Sequence, residues 1–178
     1  MDEVGDIMIF KPSKYYKDIY SIDYNKLKDE GIKTLIFDLD NTLGLISNRK
    51  CPRKTKLLIK KLKQDFLVLI CSNNNRTRLK PYLEDLGIGG VSWSMKPLTR
   101  GLRKIRRNYH LKKKEMAIIG DQIVTDIFVG NRFRIKTILV DPLGEKDMKI
   151  TFLNRKIEDF ILKKYSKRGA FARGKYYE

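Results

Sequence analysis

Apolar residues in this chain fall into two kinds of stretch. Short solid runs occur at 33–38 (KTLIFD), 67–71 (LVLIC), 91–93 (VSW), 116–119 (MAII) and 136–140 (KTILV). Runs this short and rich in Ile, Leu and Val read as strands buried on both faces. Between them the apolar positions recur every third or fourth residue. Segment 54–63 carries Leu57, Leu58 and Leu62 with lysines on the outer face, and Arg76–Leu86 keeps helical spacing up to Gly87, a helix stop. Pro97 suits a first helical position, with Leu98, Leu102, Ile105 and Tyr109 following at helical intervals. Segments 123–131 and 157–165 read as two further helices. Strands alternating with helices of about ten residues imply right-handed crossovers and a parallel sheet of about five strands in an α/β three-layer sandwich. Neither an internal repeat nor a Pro/Gly/Ser-rich linker interrupts the pattern. A single domain over 1–178 is therefore expected, with an N-terminal extension at 1–32, a core at 33–141 and a basic tail at 163–178.

Composition narrows the class. At 178 residues and 42% hydrophobic, the chain is long and apolar enough to fold around a core. No apolar run approaches the roughly 20 residues of a membrane-spanning helix. The opening MDEVGDIMIF is acidic where a secretory signal is basic, so a cytoplasmic location is expected. Two cysteines, Cys51 and Cys71, make neither a disulfide framework nor a four-cysteine zinc site. The single histidine, His110, excludes multi-histidine metal sites and argues against Ser-His-Asp chemistry.

The net charge of +18 is uneven. Residues 49–63 hold eight basic side chains and no acid, residues 96–114 hold nine and no acid, and the tail is again basic. Such runs draw polyanions: nucleic acid, an anionic membrane surface or a phosphorylated substrate. If lipid is the anion, the protein would sit peripherally on the inner face of the membrane. The composition does not decide oligomeric state.

In a doubly wound sheet the working groups sit just beyond the carboxyl ends of the strands. The first predicted strand ends in Asp38-Leu39-Asp40-Asn41-Thr42, two carboxylates that repel unless a hard cation such as Mg²⁺ lies between them. The second ends in Ser72-Asn73-Asn74-Asn75 ahead of a helix, where a hydroxyl and outward N–H groups make an anion pocket. Lys96 follows the third, and Gly120-Asp121 with Asp126 follows the fourth. Each alone has an ordinary reading as turn acids, an N-cap, a surface lysine or an acidic first helical turn. Together, in this order and each at a strand end, they have a shared one.

The set resembles the motifs of the haloacid dehalogenase (HAD) superfamily of aspartate-nucleophile phosphatases, over about residues 33–141. That resemblance implies a HAD-type Rossmann-like fold, Asp38 as nucleophile and Asp40 as general acid and then base. It implies Ser72 on the phosphoryl group and Lys96 offsetting its charge. It also implies Mg²⁺ bound by Asp38, Asp121 and the backbone carbonyl of Asp40, with Asp126 assisting at the metal or orienting Lys96. Asn73, Asn75 and Arg76 are candidate substrate contacts beside this set.

Thr42 and Ser72 enclose 29 residues, and Ser72 and Lys96 enclose 23, all used by the predicted core elements. Neither gap has room for a cap domain, so the site is expected to be open and suited to phosphate on a large anionic molecule. The chain is similar to the small capless branch (subclass IIIA) typified by the YqeG family, itself similar to mitochondrial phosphatidylglycerophosphate phosphatases. Gly31-Ile32-Lys33, Asp38 to Leu43, Ser72-Asn73-Asn74, Lys96-Pro97 and Gly120 to Asp126 carry that likeness, and segment 12–30 looks like that family's N-terminal extension. Three readings follow: a Mg²⁺-dependent phosphomonoesterase on a lipid head group such as phosphatidylglycerophosphate, the same chemistry on a nucleic-acid or protein phosphate, or an RNA- or ribosome-binding module with little turnover.

Overall fold

A computed structural model describes residues 9–144, 172 and 174–178. The expected helix at 157–165 and most of the basic tail lie outside the described residues. Six strands form one sheet: β1 (Lys14–Tyr16), β2 (Thr34–Phe37), β3 (Leu67–Cys71), β4 (Gly89–Val91), β5 (Met116–Gly120) and β6 (Lys136–Val140). Their order is β1-β6-β5-β2-β3-β4, and every pairing is parallel.

The pleat explains why solid apolar runs make this sheet. Leu35 and Phe37 of β2, Val68 and Ile70 of β3, and Ala117 and Ile119 of β5 face one layer. That layer holds helices α2 (Arg53–Leu62) and α3 (Arg76–Leu86), after a short α1 (Tyr24–Asp29). The alternate residues Ile36, Leu69, Cys71, Met116 and Ile118 face the other layer, with α4 (Arg100–Asn108) and α5 (Phe128–Phe133). A strand covered on both sides has no polar face to alternate with, hence the unbroken runs.

The sheet has one strand more than the sequence pattern gives. Residues 14–16 of the N-terminal extension pair with Ile138 to Val140. A three-residue strand spelled Lys-Tyr-Tyr carries too little periodicity to be seen. Its buried lysine, Lys14, is neutralised by Glu30 at 2.8 Å. Tyr15 also exchanges backbone hydrogen bonds with Tyr177 at 2.8 and 3.0 Å, so the sheet edge is covered rather than left open.

Two boundaries also move. The fourth strand is Gly89–Val91, not 91–93, because a Cβ at Gly90 would lie 2.8 Å from the Ile70 carbonyl oxygen. Trp93 lies beyond the strand in the left-handed region, at φ 48°, with its N–H donated to the Asn74 carbonyl. The following helix starts at Arg100 rather than Pro97, and the Lys96-Pro97 peptide, which is cis, lies in the loop before it. Gly101 fixes that start: a Cβ there would meet the Ser94 Cβ at 2.6 Å and Cys71 Sγ at 3.1 Å. No helix among the described residues is long and apolar enough to cross a membrane.

The chain runs from β2 outward to β3 and β4, then crosses back to place β5 on the other side of β2. The connections diverge between β2 and β5, and a crevice opens at such a point beyond the carboxyl ends. Thr42 to Ser72 holds only α2 and β3 as regular elements, and Ser72 to Lys96 only α3 and β4, so neither of these segments forms a cap domain over that crevice.

Candidate active site

Asp38 follows β2 directly, its N–H continuing the ladder to the Ile119 carbonyl at 2.8 Å. Asp121 follows β5, the neighbouring strand. The two therefore enter the crevice side by side. Asp126 joins them through an irregular turn. Beyond Gly120, the Gln122 carbonyl accepts from both Asp126 N at 2.9 Å and Ile127 N at 3.3 Å, and Ile123–Ile127 forms a π-helical turn. Such widened turns recur at functional sites. The sequence pattern read this stretch as the start of an ordinary helix; in the structure, regular α-helix begins at Phe128. The wide turn folds Asp126 back under Gly120 and leaves it fully buried. Carboxylate oxygens of Asp38, Asp121 and Asp126 all lie within 4.8 Å of one another.

Lys96 comes from the opposite side of β2, on the loop after β4. Its Nζ lies 2.5 Å from Asp38 Oδ1 and 2.6 Å from Asp126 Oδ1, with the ammonium buried. Asn73 clasps the backbone of this lysine: its Oδ1 accepts the Lys96 N–H at 2.8 Å and its Nδ2 donates to the Lys96 carbonyl at 2.9 Å. Burial disfavours the ammonium, but Asp126 and Asp38 outweigh it and hold the Lys96 amine above its ordinary value. Burial pushes the Asp38 carboxyl up to about 7; Lys96 pulls it down, while Asp126 and Asp40 raise it. With all three acids ionised, one ammonium against three carboxylates leaves two negative charges in a buried cluster. Oxygen donors with that residual charge fit a hard divalent cation, Mg²⁺ among them.

Gly120 is where this geometry is most exposed to substitution. A Cβ there would lie 2.2 Å from Asp126 Oδ2, in the space the carboxylate occupies. Gly120→Ala is expected to displace Asp126, cost about 1–3 kcal/mol of stability as overpacking and lower turnover on the order of 10²-fold through misplacement. Urea denaturation with parallel kinetics checks this; a variant with wild-type kcat would show that the buried Asp126 position is not needed.

Asp40 stands apart from the cluster. Its Oδ1 accepts from Arg78 Nη2 at 2.6 Å and Nε at 3.2 Å, and its Oδ2 accepts from Asn74 Nδ2 at 2.7 Å. Arg78 is in turn anchored to the Leu45 and Asn48 carbonyls and lies over the Tyr82 ring. Ser72, buried at the end of β3, accepts from Asn74 N at 3.2 Å and Asn74 Nδ2 at 3.1 Å. Thr42 donates to Asp121 Oδ1 at 3.2 Å.

The structure thus brings Asp38, Lys96, Asp121 and Asp126 into one contact set, with Asp40 and Ser72 joined through Asn74. The candidate substrate contacts are placed differently. Asn73 spends its carboxamide on Lys96, and Asn75 caps α3, accepting from Arg78 N at 2.8 Å. Arg76 is exposed at the first position of α3. Sequence reasoning missed Arg78 and the orienting parts of Asn74 and Thr42. The N-cap at Asn75 was the available signal, since it sets Arg78 in the first helical turn beside the sheet edge.

Two family models match the chain: one described as haloacid dehalogenase-like hydrolase over residues 35–95, and one described as HAD-hydrolase-like over residues 95–147. The chain is 37% identical over 161 residues to the probable phosphatase YqeG of Bacillus subtilis, covering 90% of this chain and 94% of that protein. It is 26% identical over 177 residues to phosphatidylglycerophosphate phosphatase 1, chloroplastic/mitochondrial, of Arabidopsis thaliana, covering 93% of this chain and 51% of that one. Among solved structures, a HAD family enzyme of Bacteroides thetaiotaomicron in complex with magnesium and inorganic phosphate superposes with a TM-score of 0.52 at 16% identity. That match covers 68% of this chain and all of that one. The cobalt-bound deoxy-D-mannose-octulosonate 8-phosphate phosphatase of Haemophilus influenzae gives 0.50 at 21% identity, covering 82% and 95%. At such identities the two structures speak for the fold.

Proposed function

The chain belongs to the YqeG family of HAD-superfamily phosphatases, and we propose that it is a Mg²⁺-dependent phosphomonoester hydrolase working through an aspartyl-phosphate on Asp38. The observation that carries this reading is Lys96 seated between Asp38 and Asp126, with Asp121 completing a cluster that retains two negative charges. A bound divalent cation would be held by the carboxylates of Asp38, Asp121 and Asp126 and would supply charge neutralisation and Lewis-acid polarisation of the phosphoryl oxygens.

This chain's own residues divide the remaining work. Asp38, at the open end of β2, attacks phosphorus while the phosphorus–oxygen bond to the leaving group breaks. Lys96 offsets phosphoryl charge that would otherwise repel the carboxylate. Asp40, held in place by Arg78 and Asn74, gives a proton to the leaving oxygen and then takes one from the water that cleaves the acyl phosphate. Ser72 and the N–H groups at the start of α3 hold the remaining phosphoryl oxygens.

An uncapped crevice suits a phosphate on a large anionic molecule, and the phosphatidylglycerophosphate phosphatase relatives favour a phospholipid head group. Nucleic-acid and protein phosphates fit the same chemistry. A complete carboxylate and lysine set argues against a binding module without turnover. The test is phosphate release from a soluble aryl phosphate, followed by a panel of lipid, nucleotide, sugar and phosphopeptide substrates. Release is expected with Mg²⁺, abolished by EDTA and restored by excess Mg²⁺. Turnover indifferent to EDTA would overturn the metal assignment.

A further inference from the structure

Three exposed apolar side chains gather on the loop that delivers Lys96. Trp93 is 67% exposed, Met95 46% and Leu98 49%. Trp93 and Met95 both take positive φ, at 48° and 58°, a conformation that L-residues seldom adopt. The chain turns tightly here, Leu98 N donating to the Met95 carbonyl at 2.7 Å. The apolar side chains are thus held outward by backbone that is itself fixed to the sheet through the bonds from Trp93 N to Asn74 O and from Ser94 N to Ser72 O.

Beside them lies a cavity of about 690 Å³ lined by Leu98, Arg100, Arg103, Lys104, Arg107 and Arg132. Its volume falls within the roughly 300–1,000 Å³ of small-ligand sites. Arg100, Arg103, Lys104 and Arg107 share the exposed face of α4, opposite the buried Gly101, Leu102 and Ile105. None of the five basic residues forms an ion pair with another described residue. The first basic run is placed otherwise: Lys54 lies over the Tyr20 ring, Lys56 pairs with Asp85 at 3.0 Å, and Lys63 donates to the Leu86 and Gly87 carbonyls. In the stretch beside the site, Lys96 is held by Asp38 and Asp126, while Arg100, Arg103, Lys104 and Arg107 pair with no carboxylate among the described residues.

We propose that the 93–98 loop and the basic face of α4 form a docking surface for an anionic lipid bilayer. Trp93, Met95 and Leu98 enter the interface, and a lipid phosphate settles in the arginine-lined cavity. Apolar residues flanked by cations are the pattern of interfacial binding, with tryptophan favoured at the headgroup level. Met95 and Leu98 have no planar face for stacking on bases, which distinguishes this surface from a single-strand nucleic-acid groove. Met95 and Pro97 flank Lys96, so contact with the bilayer would bring the carboxylate cluster to the level of the head groups. The proposal rests on the phosphatase reading above for its substrate but not for its binding.

Trp93 is the sole tryptophan, so its fluorescence reports this surface without a label. Phosphatidylcholine vesicles containing phosphatidylglycerol are expected to sediment the protein and shift Trp93 emission to the blue; pure phosphatidylcholine vesicles are not. The double variant Arg103→Glu/Arg107→Glu should weaken partitioning by at least about ten-fold, and Leu98→Asp should reduce both partitioning and the blue shift. Both variants alter exposed side chains and should keep wild-type release from a soluble aryl phosphate. Unchanged Trp93 emission on anionic vesicles, in protein active on the aryl phosphate, would overturn the proposal. So would single-stranded RNA binding that the same charge reversals abolish, with no vesicle binding. Vesicle binding by a protein that releases no phosphate would sustain the surface and sink the catalytic reading instead.

Discussion

Replacing Asp38 with asparagine is expected to lower phosphate release from a soluble aryl phosphate by at least roughly 10⁴-fold. The carboxamide keeps the shape of the side chain but lacks the anionic oxygen that forms the mixed anhydride with phosphorus. The backbone should be undisturbed, because the bond from Asp38 N to the Ile119 carbonyl involves no side-chain atom. Lys96 also keeps Asp126 as a partner. The variant also relieves crowding: removing one of three clustered carboxylates leaves a less negative centre. Without divalent cation it should therefore melt at the wild-type temperature or slightly above it. Wild-type turnover in scrupulously clean Asp38→Asn protein would remove Asp38 from the chemistry. A low-activity variant that melts well below the parent would instead assign it a structural role.

Lys96→Ala should have the largest effect on stability. Its ammonium is the buried cation between Asp38 and Asp126, and breaking a buried pair from one side typically costs about 3–5 kcal/mol. At about 2–4 °C per kcal/mol for a chain of this size, the midpoint should fall by roughly 10 °C. Turnover should fall with it, because the ammonium would no longer help a bound divalent cation offset the phosphoryl charge. Two controls separate these effects. Mg²⁺ should raise the melting temperature of Lys96→Ala more than that of the parent, since the cluster then carries one more uncompensated charge. Adding Asp126→Asn to Lys96→Ala should recover part of the lost stability, a positive coupling readable in a double-mutant cycle. If Lys96→Ala melts within a degree or two of the parent in EDTA, the buried charges are not what the geometry says they are.

The central part of this molecule is written plainly in the sequence because each strand of the middle sheet is covered on both faces. Leu35-Ile36-Phe37 and Ala117-Ile118-Ile119 have no solvent side, so every position is apolar and the strand ends are sharp. Sharp ends locate the acids that follow, and this is why Asp38, Asp40, Asp121 and Asp126 stood out as strand-end groups, whereas Lys96 follows a strand whose bounds the pattern misplaced. What escaped notice depends on tertiary contact. Lys14-Tyr15-Tyr16 is a strand only because β6 offers an edge and Glu30 a countercharge. Arg78 reads as one more surface arginine until the loop through Leu45 and Asn48 folds back to give it carbonyls and Asp40 a partner. Asn73 and Asn75 stand in the right place for substrate contacts, yet backbone geometry claims both side chains. The widened turn at 123–127 has an ordinary helical pattern; its π form lets Asp126 reach beneath a glycine, a constraint that no periodicity records.

The contacts that tie Lys96 and Asp121 into the site join residues far apart along the chain. Lys96 meets Asp38 across 58 positions and Asp126 across 30, and Thr42 meets Asp121 across 79. Contacts of such span carry the entropy cost of closing the intervening loops, a cost that local contacts do not carry. Residues up to 95 carry Asp38, Asp40 and Ser72 but not Lys96, Asp121 or Asp126. A chain that stops before Asp126 therefore lacks part of the carboxylate and lysine set. The cluster is complete only where β5 lies beside β2 and the turn after it brings Asp126 to Lys96.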